Sequence, residues 1–294
     1  MEEALRQELL AKTKHALDAD DWKAVERIWQ PWIEQGEAEA EFQLGYHYLC
    51  RADHEDDPTR ERMQALVNAA AAKDHPDAIW FIGTRRLYSQ GEMTSESERL
   101  LLQAGQLGSV NAQGLLGCLY ATGDYSWPMD LVKAAAWYRL AAERGDQGSQ
   151  YELGFMLLLG EGEPKNIEEG LMWLERAGEL GNNDACKLLG DCYEKGSFDV
   201  PLDAVKAARW RNRVEEYERL HPPSPHVRYS LKDVVSPSSL ALLLAIEGVT
   251  GFGYIEEDRE INVSFDPALI TPAELDDKVR AAGIGAIRTT EHGA

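Results

Sequence analysis

Bases, cysteines and long apolar runs are all scarce in this sequence. Only 30 Lys and Arg stand against 51 Asp and Glu in 294 residues, a formal net charge of −21. Binding to a phosphate backbone draws its affinity from Lys and Arg, and adsorption to an anionic membrane surface does the same, so nucleic acid and membrane are both disfavoured as partners. No run approaches the roughly 20 apolar residues needed to cross a bilayer; the longest, Leu240 to Ile246, is far shorter. The start, Met1-Glu2-Glu3-Ala4-Leu5-Arg6, lacks the basic and apolar regions of a secretory leader, which points to the cytoplasm. The four cysteines, Cys50, Cys118, Cys186 and Cys192, form no CxxC and no disulfide-like spacing.

Familiar chemical signatures are missing as well. No Gly-x-Ser-x-Gly is present, and the seven histidines form no nucleophile–base pattern. Gly251-Phe252-Gly253 lacks the following helix and Lys-Ser/Thr of a phosphate loop. Asp53, Glu55, Asp56 and Asp57 lack the order of a calcium loop and read as a solvated turn. His47, Cys50 and His54 have helical spacing that would let three ligands converge, but a zinc site would need a fourth ligand or an open water position. The expectation is therefore no catalytic residues, no metal, no cofactor and no enzymatic activity.

What the sequence does contain is a repeat. Gly45, Gly83, Gly117, Gly154 and Gly190 recur at 34 to 38 residue intervals. An aliphatic residue precedes each one: Leu44, Ile82, Leu116, Leu153 and Leu189. A small residue stands five before: Ala40, Ala78, Ala112, Ser149 and Ala185. Tyr48, Tyr120 and Tyr193 stand three after, with Arg86 and Leu157 as departures. Each unit reads as two helices. Glycine costs about 1 kcal/mol against alanine inside a helix, so its recurrence implies close approach of a neighbour. Trp137, Trp173 and Trp210 keep the same frame on the second helices, and Gly145 and Gly181 suit left-handed helix stops.

Ser149-Gln150-Tyr151-Glu152-Leu153-Gly154 with Gly160-Glu161-Gly162, and Ala134-Ala135-Ala136-Trp137-Tyr138 with Ala141-Ala142-Glu143-Arg144-Gly145, resemble the Sel1-like repeat family, relatives of the tetratricopeptide repeats. That resemblance implies an α/α solenoid over residues 1–220, with 1–36 as an N-terminal capping pair. In related arrays the first helices line a groove. The groove positions include Phe42, Tyr46, Trp80, Tyr151 and Phe155, an aromatic stripe suited to holding a protein or peptide. The competing role for each ring is packing between neighbouring repeats. The acidic background favours a basic partner.

A proline-rich joint, 221–226, ends the helical pattern. Residues 227–294 change rhythm: an alternating segment from Val227, a helix from Ser236 through Ile246, strands at Val249–Ile255 and Glu260–Phe265, a helix opened by Thr271-Pro272-Ala273-Glu274, and a last short strand at Gly283–Ile287. This order, βαββαβ, is a small ferredoxin-like α+β domain. Ile246-Glu247-Gly248-Val249, Val263-Ser264-Phe265-Asp266-Pro267 and Ile270-Thr271-Pro272-Ala273-Glu274-Leu275 resemble heavy-metal-associated domains. That family's CxxC is replaced here: Lys232 and Val235, or Ser236 and Ser239, occupy the thiol positions, and none is a soft-metal ligand. The favoured function is a mostly α, non-enzymatic interaction module. The alternatives are a divergent metal-handling protein, or an inhibitor or immunity protein for a basic-surfaced target.

Overall fold

The computed structural model describes residues 2–50, 58–220, 226–231, 249–255, 260–265, 269–281 and 286–292. The chain divides into two compact units, Met1–Val214 and Glu215–Ala294, and the division falls within the twelfth helix.

The first unit is a succession of helical pairs. A leading pair, α1 (Glu3–Asp18) and α2 (Trp22–Ile33), is followed by five repeats. Their first helices are α3 (Ala38–Cys50), α5 (Pro76–Gln90), α7 (Val110–Thr122), α9 (Gln147–Leu159) and α11 (Asn183–Lys195). Their second helices are α4 (Pro58–Ala72), α6 (Ser95–Gln106), α8 (Leu131–Glu143), α10 (Ile167–Glu179) and α12 (Ala204–Leu220). Side chains that accept hydrogen bonds mark most of the starts. Asp21, Thr94, Ser109, Asp130, Asp146, Asn166 and Asn182 each take a backbone N–H of the first turn. Glycine marks the ends: Gly91, Gly123, Gly160 and Gly196 all stop a first helix with φ between 70° and 81°.

The repeated glycine has a steric cause. A Cβ on Gly117 would lie 2.5 Å from the Tyr138 ring, and one on Gly154 would lie 2.8 Å from the Gly170 carbonyl oxygen. Gly45 meets Met63 and Val67 at 2.7 Å in the same way. The first helix thus lies directly on its own second helix. Gly190 is the exception, with Arg211 Cγ at 3.6 Å the nearest atom. The small column, Ala40, Ala78, Ala112, Ser149 and Ala185, is buried throughout.

Successive pairs are separated unequally on the two sides. The first helices α3 and α5, α5 and α7, and α7 and α9 pack closely against each other. The second helices meet through indole rings: Trp137 lies over Gly105, where a Cβ would be 3.0 Å away, and Trp210 lies over Gly178, at 2.8 Å. Neighbouring first helices in these three steps thus lie nearer one another than neighbouring second helices do. The core runs through it as linked local clusters, around Trp29 and Val67, then Leu116 and Tyr138, then Leu174 and Trp210.

The second unit holds a four-stranded antiparallel sheet in the order β2-β3-β1-β4, from β1 (His226–Leu231), β2 (Val249–Ile255), β3 (Glu260–Phe265) and β4 (Ala286–His292). Helix α13 (Pro272–Ala281) starts with the expected reciprocal cap, in which Glu274 N donates to Thr271 Oγ1 and Thr271 N to the Glu274 carboxylate. Among the described residues of this unit, Tyr229, Ile261, Val263, Phe265, Ile270, Leu275 and Val279 are buried. The described part of the last strand starts at Ala286; Gly283, Ile284 and Gly285 lie outside the described residues. The joint at 221–225, the helix expected within 236–246 and the residues in the thiol positions lie outside the described residues.

Candidate functional site

The five aromatic residues assigned to the first-helix face separate into two groups. In the first, Phe42 stacks on His75 at 4.9 Å and lies tilted against Tyr46 at 5.1 Å, and Tyr46 meets Trp80 at 6.4 Å and Phe81 at 5.3 Å. Phe42 is only 4% exposed. It is a core residue and not a contact surface, because the N-cap histidine of the next repeat closes over its ring. Trp80 is half-buried and packs against three neighbouring core clusters, so most of its ring also joins repeats together. Tyr46 remains half-buried at the surface of this group.

A charge-assisted set of contacts fixes the same corner. His75 Nδ1 accepts from Ala78 N at 3.3 Å, so Nε2 carries the proton and donates to Glu39 at 3.0 Å. Glu39 also receives Arg6 Nε at 2.9 Å and Gln43 Nε2 at 2.9 Å. Burial pushes the Glu39 carboxyl up, but the hydrogen bonds and Arg6 outweigh it and hold the group below its ordinary range.

In the second group, Tyr151 and Phe155 stack in parallel on α9, centroids 6.3 Å apart, and Phe198 meets Phe155 edge-on at 5.9 Å. All three are half-buried. Gly114 and Cys118 carry no aromatic ring in the repeat between the two groups, so the expected stripe is interrupted. Beside that gap lies Glu152, whose carboxyl is pushed up by burial. Glu152 has no cationic partner among the described residues, and its charge acts on both Tyr138 and Cys118.

Sequence reasoning missed three further surface rings. Tyr88 is 61% exposed and lies 6.3 Å from Tyr125, a contact that parallels Phe155 with Phe198. Tyr125 and Phe198 occupy equivalent places in two copies of one loop, Gly123-Asp124-Tyr125-Ser126-Trp127-Pro128-Met129-Asp130 and Gly196-Ser197-Phe198-Asp199-Val200-Pro201-Leu202-Asp203. Both rings hang on left-handed backbone, φ 54° and 60°. The shared Gly, Pro and Asp of the two loops were the available signal.

Nothing in this arrangement resembles a nucleophile. Burial pushes all four thiols up, Cys192 to about 11, so none is a thiolate at neutral pH. His47 and Cys50 lie on α3, while His54 is outside the described residues. Among the described residues no group of three or more His, Cys, Asp or Glu side chains is placed to hold a metal.

The Sel1 repeat model matches residues 38–58, 110–146, 148–182 and 183–210. All four matched segments lie in the helical region. Sel1 repeats are a non-enzymatic, protein-interaction fold. The chain is 29% identical over 168 residues to DAP3-binding cell death enhancer 1 of Rattus norvegicus, covering 55% of this chain and 28% of that one. It is 30% identical over 155 residues to an exopolysaccharide production negative regulator of Rhizobium meliloti, covering 47% and 58%. The chain thus spans under two thirds of the length of each of these relatives. A solved Sel1 repeat protein from Oxalobacter formigenes aligns with TM-score 0.57 at 24% identity, over 74% of this chain and 91% of that one. The loop at Ser89-Gln90-Gly91-Glu92, where the Gly-containing consensus is weakest, falls between matched segments, yet α5 and α6 around it form a pair like the others.

Proposed function

We propose that this chain is an adaptor that holds a protein or peptide of basic character against the first-helix face of its Sel1 repeats. The observation that carries the reading is the second aromatic group, Tyr151, Phe155 and Phe198, half-exposed beside a desolvated carboxylate, Glu152, that no described cation neutralises. Such a carboxylate is unfavourable in the free protein and favourable once a cation covers it. The net charge of −21 supports the same partner chemistry through long-range steering. A narrower form of the reading, an inhibitor of a basic-surfaced enzyme, draws on that charge alone.

On this reading the second unit is a ferredoxin-like sandwich that adds a further contact surface. The strand order β2-β3-β1-β4 supports it, because two interleaved βαβ units give that order. A soft-metal role is disfavoured, since residues 227–294 contain no cysteine. Action in the cytoplasm is supported by four free thiols and no disulfide.

Crosslinked capture from cell extract, compared between the wild type and a Tyr46/Tyr151/Phe155 triple alanine variant, tests the site. The expected result is a partner retained by the wild type and lost by the variant at unchanged helicity. Equal capture by both would sink the proposed face. Stoichiometric copper or zinc in protein purified without chelator would instead favour metal handling.

A further inference from the structure

The two left-handed aromatic loops set a spacing on the partner. A bulky residue at positive φ is an outlier that survives only where its surroundings enforce it, and such residues concentrate at binding sites. Here the outlier occurs twice, two repeats apart, with an aromatic residue each time: Tyr125 and Phe198. The molecule supplies its own control. The intervening loop, Gly160 to Asn166, is one residue shorter and turns through Gly162 at φ 72°. All three loops close with the same kind of backbone bond, Asp130 N to Tyr120 O, Asn166 N to Leu157 O and Asp203 N to Tyr193 O, at 2.8 to 2.9 Å. The stack can therefore join a first helix to a second without an aromatic residue in left-handed backbone.

What the strained backbone does achieve is placement. Tyr125 is brought to Tyr88, and Phe198 to Phe155, so each loop ring and a first-helix ring form a bracket in which Tyr88 is exposed and the other three rings are half-buried. Acidic groups lie near both brackets. Asp124 adjoins Tyr125, and Glu92 is drawn close where Met93 N donates to the Tyr125 carbonyl. Glu152 lies between Tyr151 and Phe155 along α9, and Asp199 adjoins Phe198 while also binding Lys165 at 2.6 Å. Glu92, Asp124 and Glu152 have no cationic partner among the described residues. Aromatic faces beside carboxylates suit a guanidinium, which stacks and forms ion pairs at once. The chain makes such stacks itself, with Arg176 over Trp173 and Arg209 over Trp210, both at 4.8 Å.

We propose that the Tyr88/Tyr125 and Phe155/Phe198 brackets hold two arginines of one extended segment of the partner. This deepens the adaptor reading above and rests on it. Packed helices lie about 8–10 Å apart, so brackets two repeats apart are separated by roughly 16–20 Å. An extended chain covers about 3.3 Å per residue, which sets the two arginines about five or six residues apart.

The test uses synthetic Gly-Ser peptides carrying two arginines at separations from two to ten residues, titrated into the full chain by fluorescence anisotropy at low salt. Affinity is expected to peak at a separation of five or six, about tenfold above a separation of two. Replacing both arginines by lysine should lower the peak several-fold. The Tyr125→Gly/Phe198→Gly variant relieves the strain at two of the four left-handed non-glycine positions in these loops, which offsets part of the packing the rings give up, so it should lose the peak while staying folded with only a small change in melting temperature. Tyr88→Ala, at an exposed helix position, should flatten the profile on its own. A profile without a peak overturns the proposal. So does glycine-variant binding equal to wild type, or a large fall in melting temperature with the peak intact, which would assign the rings to packing. Extract capture that still depends on Tyr46, Tyr151 and Phe155 while the peptide profile is flat would refute the brackets and leave the adaptor reading standing.

Discussion

Gly117 and Gly190 occupy the same column of the repeat and should respond oppositely to alanine. At Gly117 the new methyl meets the Tyr138 ring at 2.5 Å, and a buried ring cannot withdraw cheaply. Overpacking of that kind costs about 1–3 kcal/mol, against roughly 1 kcal/mol gained from helix propensity. At Gly190 the nearest atom is the Arg211 side chain at 3.6 Å, so only the gain remains. Urea midpoints should therefore fall for Gly117→Ala and rise for Gly190→Ala, with unchanged slopes. Glu152 makes a second case. Burial raises its folded pKa above the ordinary 4.5, so between those values the folded state holds the proton that the unfolded state has released. Stability is then lost as pH rises through that window. Glu152→Gln should accordingly be more stable than the wild type at pH 7 and equal to it near pH 4, measured by urea unfolding at both. A wild type that is the more stable at pH 7 would mean the carboxylate is already compensated, and would remove the main support for a cationic partner.

Helix boundaries were legible because each is written in a short-range code. Asp146 shows how much rests on it: its carboxylate accepts from Ser149 N at 2.7 Å and starts α9, the helix that carries Tyr151, Glu152 and Phe155. Asp146→Ala should cost about 1 kcal/mol and Asp146→Asn almost nothing, read from chemical unfolding. The small column was equally readable because it recurs in every repeat, and the indole frame because it recurs on the last three second helices. Other features were not local. Spacing alone gave Phe42 and Tyr46 the same role, but His75 from the following repeat covers one ring and leaves the other half-exposed. Tyr125 and Phe198 escaped because left-handed backbone is normally signalled by glycine, and here it is not. In the tail, β2 and β3 stand at Val249–Ile255 and Glu260–Phe265, the bounds read from the sequence.

At the scale of the molecule, the described residues of the stack form successive local clusters, the first two joined through Trp80. Stability in such an array is a sum of local pairs and of the interfaces between them. Trp210 makes the consequence measurable. It is fully buried, lies on Gly178 of the preceding repeat, and stands in the last pair of the first unit. Truncation to alanine leaves a cavity worth about 3–5 kcal/mol. In a globular domain unfolding as one body, that loss would lower the protection of every slowly exchanging amide. In a nearest-neighbour stack it stays near its origin. Hydrogen exchange of Trp210→Ala should therefore show α11 and α12 opening, α10 weakened, and α1 to α4 as protected as in the wild type. The distinction bears on binding. Phe198, one of the four bracket rings, sits between α11 and α12, so local opening there should remove one bracket while Tyr88 and Tyr125 stay in place. Uniform loss of protection would mean that the repeats are coupled more tightly than their contacts imply, and that a partner at one end could act on the structure at the other.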